Sequence, residues 1–297
     1  MSQRAAGVVG LGQMGGALAQ ALLRAGLPTC GFDVDAGRTR LFEQAGGRPL
    51  GSPRAVAESC EVVVTSLASV AALDAVVSGP DGLAAADATA LRVVETSTLS
   101  LEAKHRARSA LESAGAILLD CPVSGTAAQA RVGDVVVFVS GEEATAHELA
   151  DVFDALGRSW RYLGEFGLGT KMKFVANLLI AVHNMAAGEA LVLGRKAGLD
   201  PQLVYEVISE SAATSRMFEV SGPLMINRDY EDASAKVQIL HKDLQLIRAF
   251  ATDVRAPVPL MAVTAEFYTA AMALGMDQME DASVCLLLEK LVGIDGA

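Results

Sequence analysis

The stretch "GVVGLGQMGG", residues 7–16, holds five glycines directly before an apolar helical pattern that ends near Gly26. Gly10, Gly12 and Gly15 form the pattern G-x-G-x-x-G after a short strand-like run. In such a setting the first glycine permits a tight turn, the second lets the backbone approach a pyrophosphate, and the third lets helix and strand pack closely. The helix N-terminus then faces the phosphates. The stretch predicts a dinucleotide-binding loop, whereas glycines alone would also fit a mobile loop.

The next strand-like run, "PTCGFDV", ends in Asp33, eighteen residues after the last glycine of the motif. An acidic side chain at this place can accept hydrogen bonds from an adenosine ribose. The carboxylate would repel a ribose 2′-phosphate, and the following Val34 and Asp35 supply no cation, so we expect NAD in preference to NADP. Arg38 or Arg40 could supply that cation, and Asp33 could instead only cap a turn.

Short β-rich runs alternate with helical patterns up to about residue 163, and this alternation predicts a mainly parallel sheet with helices on both faces. After about residue 170 the β-like runs vanish and long helical patterns follow. We therefore expect an α/β protein with an N-terminal Rossmann-type, doubly wound domain (residues 1–163) and a C-terminal all-α domain (residues 164–297). A long interdomain helix beginning near Thr170 is expected to join the domains, which should share a cleft.

The net charge and the cysteine content argue against several kinds of ligand and site. The formal charge of −11 disfavours nucleic acid, because duplex binding depends on Lys and Arg neutralising phosphates. The four cysteines are far apart and form no Cys-x-x-Cys pair, so neither a zinc site nor a disulfide framework is expected. A reducing, cytoplasmic location fits this cysteine usage.

The most apolar stretch is "FVANLLIAVHNMAAGEALVLG", residues 174–194. It contains Asn177, His183, Asn184 and Glu189, which would be costly in lipid, so we interpret it as a buried helix and expect no membrane association. His183 has no second His or carboxylate at ligand spacing, so we expect no metal site. The N-terminus lacks the pattern of a signal peptide.

Three further segments carry a family resemblance: "DCPVSGT" (residues 120–126), "GLGTKMKFVAN" (167–177) and "HKDL" (241–244). With the glycine motif they resemble, in order and approximate spacing, the signature segments of the β-hydroxyacid dehydrogenase family. That family includes 3-hydroxyisobutyrate dehydrogenases, tartronate and succinic semialdehyde reductases and, more distantly, 6-phosphogluconate dehydrogenase. The resemblance implies hydride transfer between a nicotinamide cofactor and a small 3-hydroxy acid or its semialdehyde. It also implies a homodimer or homotetramer, associated through the helical domain.

The segment "PVSGT" is the expected substrate loop. The Ser124 hydroxyl and the amides of Gly125 and Thr126 can present donors to a carboxylate, and the resemblance implies that this loop holds the substrate's acid group. An ordinary strand-to-loop turn is the alternative if the loop is considered alone. Thr126 stands where the family usually has glycine, which bears on the substrates that fit.

The resemblance places the family's catalytic lysine on Lys173, rather than on Lys171, and its asparagine on Asn177. Alcohol oxidation needs a base for the hydroxyl proton, and the reverse reaction needs an acid for the developing alkoxide. A lysine serves both purposes when burial or a nearby cation lowers its pKa from about 10.4. Asn177 lies four residues on, on the same helix face, where it can bind substrate or position the ammonium. A surface lysine is the structural alternative, but this helix is strongly apolar.

The "HKDL" segment supplies Lys242 and Asp243. The resemblance implies that Lys242 lies against the nicotinamide end of the cleft and that Asp243 supports the substrate there. An exposed ion pair on a helix is the alternative. Ala235 stands where many relatives carry an aromatic side chain that closes the pocket.

The resemblance also implies that two strand ends contact the cofactor. Ser66 and Leu67 end the run "CEVVVTSL", and Ser97 and Thr98 come shortly after "LRVVE". These side chains could equally cap helices, and the two roles can coexist. The other expected cofactor contacts are Gly10, Leu11, Gly12, Gln13, Met14, Gly15, Asp33 and Val34.

Two other functions remain open from the sequence: an imine reductase-like enzyme and a non-catalytic dinucleotide-binding protein. Imine reductases share the fold but usually replace the lysine, and a binding module needs neither Lys173 nor the Ser124 loop. Lys173 therefore favours alcohol or aldehyde chemistry.

Overall fold

The computed structural model describes residues 4–87 and 91–294. The chain divides into two compact units, Met1–Lys173 and Phe174–Ala297. The first unit alternates strands and helices, and the second is helical. The domain boundary expected after residue 163 stays a prediction.

Within the described residues, the strands are β1 (Ala6–Val9), β2 (Thr29–Phe32), β3 (Arg48–Pro49), β4 (Val62–Thr65), β5 (Arg92–Glu95), β6 (Ile117–Asp120), β7 (Val123–Ser124), β8 (Val136–Val139) and β9 (Ser159–Tyr162). The helices of the first unit are α1 (Gln13–Arg24), α2 (Ala36–Gln44), α3 (Pro53–Ser59), α4 (Val70–Ser78), α5 (Leu101–Ser113), α6 (Ala127–Arg131), α7 (Glu143–Glu148) and α8 (Ala150–Leu156). Helix α9 (Leu168–Lys196) begins in the first unit and continues into the second. The second unit adds α10 (Pro201–Ser209), α11 (Arg216–Asn227), α12 (Val237–Asp253), α13 (Pro259–Ala273) and α14 (Val284–Leu291).

Strands β1 to β6 form a parallel sheet in the order β3-β2-β1-β4-β5-β6. This is the doubly wound order, in which the direction of winding reverses between β1 and β4. Ligands of such sheets bind beyond the carboxyl ends of the strands at this switch point. The predicted Rossmann-type fold is confirmed.

Alternate side chains of β4 enter two different cores. Val62 and Val64 join the cluster that contains Leu18 of α1, whereas Val63 joins the cluster that contains Leu111 of α5. Because successive side chains of a strand point to opposite faces, both faces of the sheet are covered. Burial on both sides explains why the central strands are continuous apolar runs.

Strands β7, β8 and β9 form a separate sheet in which β7 is antiparallel to β8 and β8 is parallel to β9. The sequence pattern predicts one mainly parallel sheet, so the second sheet is a departure from that expectation. The connection from β7 to β8, residues 125–135, is shorter than the dozen or more residues that a parallel crossover needs, which explains why this pair is antiparallel.

Helix α9 runs over 29 residues. Among the helices that the structure describes, it is the one whose length and apolar composition meet the test for a membrane span, a test that core helices of soluble proteins also pass. Asn177 and Asn184 on this helix are buried and hydrogen-bonded inside the second unit. These are features of a core helix, in agreement with the buried helix predicted for residues 174–194.

Candidate active site

The glycine loop lies between the end of β1 and the start of α1, at the switch point of the sheet. Gly10 has a φ of 88°, and a Cβ atom there would lie 2.3 Å from the Ser66 carbonyl oxygen. At Gly15 a Cβ atom would lie 1.9 Å from the Gly10 carbonyl oxygen. The protein's own backbone therefore requires glycine at both positions.

Gly12 is different, because nothing in the described part of the chain excludes a side chain there. A Cβ atom would meet only the Arg38 guanidinium, at 3.7 Å from Nη1, which is an ordinary contact distance. Gly12 is also the N-cap residue of α1 and brings no side chain to cap the first turn. Open space beside the N-terminus of a 12-residue helix is the arrangement that phosphate groups occupy in dinucleotide sites. The loop thus fits a dinucleotide.

Asp33 ties this loop to the end of β2. Its Oδ2 accepts the Leu11 N–H at 2.7 Å, and its Oδ1 accepts the Asp35 N–H at 2.8 Å. The Arg38 Nη1 lies 3.6 Å from Oδ2. The side chain of Asp33 is buried, whereas Val34 is almost fully exposed. The structure thus places Arg38, which the sequence offered as an alternative cation, between Asp33 and the open space at Gly12.

The loops after β4 and β5 meet each other. The Leu67 N–H donates to Ser97 Oγ at 2.8 Å, and the Ser97 N–H donates to Glu95 Oε1 at 2.9 Å. Since Ser66 also lies against Gly10, the loops expected to contact the cofactor come together at the carboxyl edge of the sheet. Thr98 follows in the same loop, before α5.

Ser124 ends β7 and is partly exposed. Gly125 has a φ of 140°, and a Cβ atom there would lie 2.7 Å from the Val135 side chain. Thr126 forms a capping box with Gln129: its Oγ1 accepts the Gln129 N–H at 3.3 Å, and its own N–H donates to Gln129 Oε1 at 2.9 Å. The Thr126 amide, which was expected to donate to a substrate carboxylate, instead donates to the Gln129 side chain in this structure.

The first turn of α9 is anchored to β6. The Thr170 N–H donates to Asp120 Oδ2 at 2.7 Å, and the Thr170 hydroxyl donates to Asp120 Oδ1 at 2.8 Å. The Gly169 N–H donates to Ser140 Oγ at 2.9 Å. Lys173 follows in the next turn and is buried. Asp120 thus links the strand that leads into "PVSGT" with the helix that carries Lys173.

In the second unit, the "HKDL" segment of α12 meets α9. Asn177 Nδ2 donates to Asp243 Oδ2 at 2.7 Å, and the Lys242 ammonium lies 2.8 Å from Asp243 Oδ1. Asp243 is buried and Lys242 is about one-third exposed. Because Asp243 is shared between Asn177 and Lys242, the two motifs form one polar cluster rather than a surface ion pair.

Comparisons with known proteins agree with this arrangement. Residues 5–164 match the family model described as the NAD binding domain of 6-phosphogluconate dehydrogenase, and residues 167–288 match the one described as NAD-binding of NADP-dependent 3-hydroxyisobutyrate dehydrogenase. The chain is 37% identical to L-threonate dehydrogenase of Cupriavidus necator, over 94% of each protein. The chain belongs to the β-hydroxyacid dehydrogenase family.

Solved structures extend this likeness. The crystal structure of 3-hydroxyisobutyrate dehydrogenase from Salmonella typhimurium has a TM-score of 0.86 and 31% identity, covering 96% of this chain and 100% of that one. The Mycobacterium tuberculosis 3-hydroxyisobutyrate dehydrogenase with L-serine has a TM-score of 0.84 and 27% identity, covering 96% and 99%. The family resemblance inferred from the four motifs is confirmed over nearly the whole chain.

One polar cluster of this β-hydroxyacid dehydrogenase family member was not predicted from its sequence. The fully buried Lys104 of α5 places its ammonium 2.7 Å from Glu95 Oε2 and 2.6 Å from Asp120 Oδ1. Burial lowers the pKa of Lys104, but the attraction of Asp120 and Glu95 outweighs it and raises the pKa above its usual value. A signal existed, because Lys104 lies on the buried stripe of α5 with Ala107 and Leu111.

A second missed cluster lies in the second unit. Asn184 Nδ2 donates to Asp281 Oδ1 at 2.8 Å, and the Ser221 hydroxyl donates to Asn184 Oδ1 at 2.8 Å. Burial, reinforced by the neighbouring Glu280, raises the pKa of Asp281 to about 8. Asn184 and Asp281 are 97 positions apart, so no local pattern of the sequence pairs them.

Within residues 4–87 and 91–294, no group of three or more His, Cys, Asp or Glu side chains is placed to hold a metal ion. The four cysteines are buried free thiols. The expectation that no metal is needed stays a prediction.

Proposed function

We propose that this protein is an NAD-dependent dehydrogenase that oxidises a small 3-hydroxy acid, or reduces the matching semialdehyde, with Lys173 as general acid and base. The observation that supports the proposal is that Lys173 is buried in α9, in the segment whose resemblance to the family's signature implies a catalytic lysine. L-threonate, which bears hydroxyls on C2 and C3, is the first substrate to test, because a relative 37% identical is an L-threonate dehydrogenase.

The residues that would hold the cofactor lie at the carboxyl edge of the parallel sheet and on α12. A nicotinamide dinucleotide supplies the hydride acceptor in one direction and the hydride donor in the other. The proposed contacts are Gly10, Leu11, Gly12, Gln13, Met14, Gly15, Asp33, Val34, Ser66, Leu67, Thr98 and Lys242. Space at Gly12 and the buried Asp33 carboxylate support this assignment.

The proposed substrate contacts divide into binding and proton transfer. Ser124 Oγ and the Gly125 amide bind the carboxylate, with Thr126 shaping this end through its methyl group. Neutral Lys173 Nζ takes the hydroxyl proton during oxidation, and its ammonium returns a proton to the developing alkoxide during reduction. Asn177, held by Asp243, binds the reacting oxygen or orients the Lys173 ammonium without titrating.

Asp33 supports NAD over NADP. Its buried carboxylate would lie near the ribose 2′ position and would repel a 2′-phosphate. Arg38, whose Nη1 lies 3.6 Å from Oδ2, is half exposed and offsets only part of that charge, and Val34 and Asp35 supply no further cation. We therefore propose NAD as the preferred cofactor.

We further propose that copies of this chain associate into a homodimer or homotetramer and act in the cytoplasm. Helix α10 supports association, because none of its residues is buried although it carries Leu203 and Val207. Leu193 and Leu199 nearby in the chain are exposed as well. The free thiols suit a reducing compartment.

The experiment is a panel of hydroxy acids and semialdehydes, beginning with L-threonate and 3-hydroxyisobutyrate, assayed with both NAD and NADP. Lys173→Ala should lower kcat by at least about 100-fold, the usual contribution of general acid–base catalysis, and leave NADH binding nearly unchanged. Lys171→Ala is the matched control, because Lys171 is an exposed lysine two residues away.

Substantial turnover by Lys173→Ala would contradict the role of Lys173. A preference for NADP would contradict the role of Asp33. Turnover of cyclic imines without turnover of any hydroxy acid would favour the imine reductase-like alternative, and cofactor binding without any turnover would favour a non-catalytic dinucleotide-binding protein.

A further inference from the structure

A continuous line of polar contacts runs through the first unit, starting at the loops proposed to contact the cofactor. The Leu67 N–H donates to Ser97 Oγ at 2.8 Å, and the Ser97 N–H donates to Glu95 Oε1 at 2.9 Å. Glu95 is fully buried at the end of β5. Its carboxylate therefore holds a cofactor loop with one oxygen and leaves the other for a second partner.

That second partner is Lys104, which also binds Asp120. Glu95 and Asp120 are register neighbours at the ends of β5 and β6, so their carboxylates are side by side. The Lys104 ammonium lies 2.7 Å from the first and 2.6 Å from the second, and all three side chains are fully buried. Without water to screen them, these attractions hold the three groups in one arrangement.

The line ends at the helix that carries Lys173. Asp120 accepts both the N–H and the hydroxyl of Thr170, at 2.7 and 2.8 Å. A carboxylate at this place also interacts favourably with the positive end of the helix dipole. Because Lys173 follows Thr170 by three residues, the position of this first turn determines where the Lys173 side chain leaves the helix.

A structural role alone does not explain this choice of residues. Replacing a buried ion pair by well-packed apolar groups is often neutral or stabilising, so the core gains little from Lys104 as such. What the charged groups provide is orientation, since each carboxylate oxygen has a directional partner on a different element.

We propose that Lys104 is a positioning residue that couples the cofactor loops after β4 and β5 to the first turn of α9, and thereby to Lys173. This inference rests on the proposed function for the roles of the cofactor and of Lys173. An ordered cofactor loop orders Glu95, and through Lys104 and Asp120 it orders the start of α9. Lys104 itself touches neither substrate nor cofactor in this scheme.

The test compares amide hydrogen exchange of residues 168–173 with and without NADH. In the native protein, NADH should slow this exchange by at least about fivefold, the lower end of ordinary coupling between sites. In the double variant Lys104→Met with Glu95→Gln, which retains one net negative charge in the cluster, that protection should disappear while the Kd for NADH changes little. Arg106→Gln is the matched control, since Arg106 lies on the same helix but is exposed.

A second pair of variants tests the contact between Asp120 and Thr170. It keeps the proposal testable if the double variant fails to fold. Thr170→Val removes the hydroxyl donor to Asp120, and Thr170→Ser keeps it. Thr170→Val should lose the NADH-dependent protection and shift the pH profile of kcat, whereas Thr170→Ser should retain both.

Protection that persists in the double variant, or that is absent from the native protein, would overturn the coupling. Equal effects of Thr170→Val and Thr170→Ser would do the same. If no hydroxy acid is turned over, the exchange and NADH-binding measurements still decide about Lys104, and only the proposed reaction fails.

Discussion

Each unit of the molecule buries an aspartate completely, but the two are partnered in opposite ways. Asp120 in the first unit faces the Lys104 ammonium and the Thr170 donors. Asp281 in the second unit faces the neutral amide of Asn184 and has Glu280 as its neighbour. The two carboxylates therefore share their burial but differ in the charge of their partners.

The two clusters should respond differently to pH. The attraction of two carboxylates raises the pKa of Lys104, so its charge persists across the physiological range. Burial raises the pKa of Asp281 to about 8, so that carboxyl changes its protonation near neutrality. The Lys104 cluster is therefore held together by charged groups across this range. The Asp281 cluster is neutral and hydrogen-bonded in mildly acidic solution.

The largest expected loss of stability at neutral pH is that of Lys104→Met, which would leave Glu95 and Asp120 without their cation. Removing one partner of a buried ion pair costs about 3–5 kcal/mol of the free energy of unfolding. The loss should be greatest near neutral pH and smaller in mild acid, because an unpaired carboxylate there takes up a proton. Urea unfolding at neutral pH and in mild acid measures both the loss of stability and its dependence on pH.

The control for this variant is Arg106→Gln on the same helix. Arg106 pairs with Glu102 at 2.9 Å and with Asp74 at 3.7 Å, but it is half exposed, so its loss should cost less than about 1 kcal/mol. Similar costs for Lys104→Met and Arg106→Gln would mean that the buried charges are not in the arrangement described.

The second effect concerns Asp281→Asn and its pH dependence. Between the ordinary pKa of 3.8 and the raised value of about 8, the folded protein holds a proton that the unfolded chain has released. The stability from this group is therefore full below the lower value and is lost as pH rises through the upper one. Asp281→Asn keeps a neutral partner for Asn184 and should flatten this fall by up to about 1.4 kcal/mol per pH unit.

Urea unfolding of native protein and Asp281→Asn across this range provides the comparison, since other titrating groups are common to both. An unchanged slope would show that Asp281 is ionised in the folded state. At alkaline pH the variant should be the more stable of the two.

The smallest effect is expected for Ser221→Ala, which removes the hydroxyl that donates to Asn184 Oδ1. The buried amide oxygen then lacks this donor, at a cost of about 1–3 kcal/mol. This cost should be independent of pH, because neither group titrates. Ser109→Ala on the exposed face of α5 is the control and should change stability by less than about 0.5 kcal/mol. A Ser221→Ala cost that varied with pH would indicate that its hydroxyl serves Asp281 as well.

The sequence predicted the parts of the fold that depend on local pattern. The glycine loop, the central strands and the helical second half each have a spacing that one stretch of sequence reveals, and Gly10 and Gly15 occupy the backbone positions that their motif implies. The family followed from four motifs in order. The site roles of Lys173 and Ser124 remain predictions.

What the sequence could not give depends on pairing between distant residues. The bond from the Thr126 amide to Gln129 is an exception, because Thr-x-x-Gln is a local capping-box pattern that the sequence interpretation overlooked. Predicting the cluster of Lys104, Glu95 and Asp120 would require the register of β5 against β6, which puts Glu95 beside Asp120. Whether Asp243 lies on a surface or in a core depends on how α12 packs against α9, and this was left open.

The bond between Asp120 and Thr170 also bears on how the protein is made. The two residues are separated by 50 positions, so on a growing chain the β6 carboxylate is synthesised long before its donors. Until residue 170 leaves the ribosome, Asp120 can pair with Lys104 but lacks the N–H and hydroxyl donors of Thr170. A fragment ending at residue 163 would stop in that unfinished state, whereas one extended through Lys173 would carry the donors that complete it.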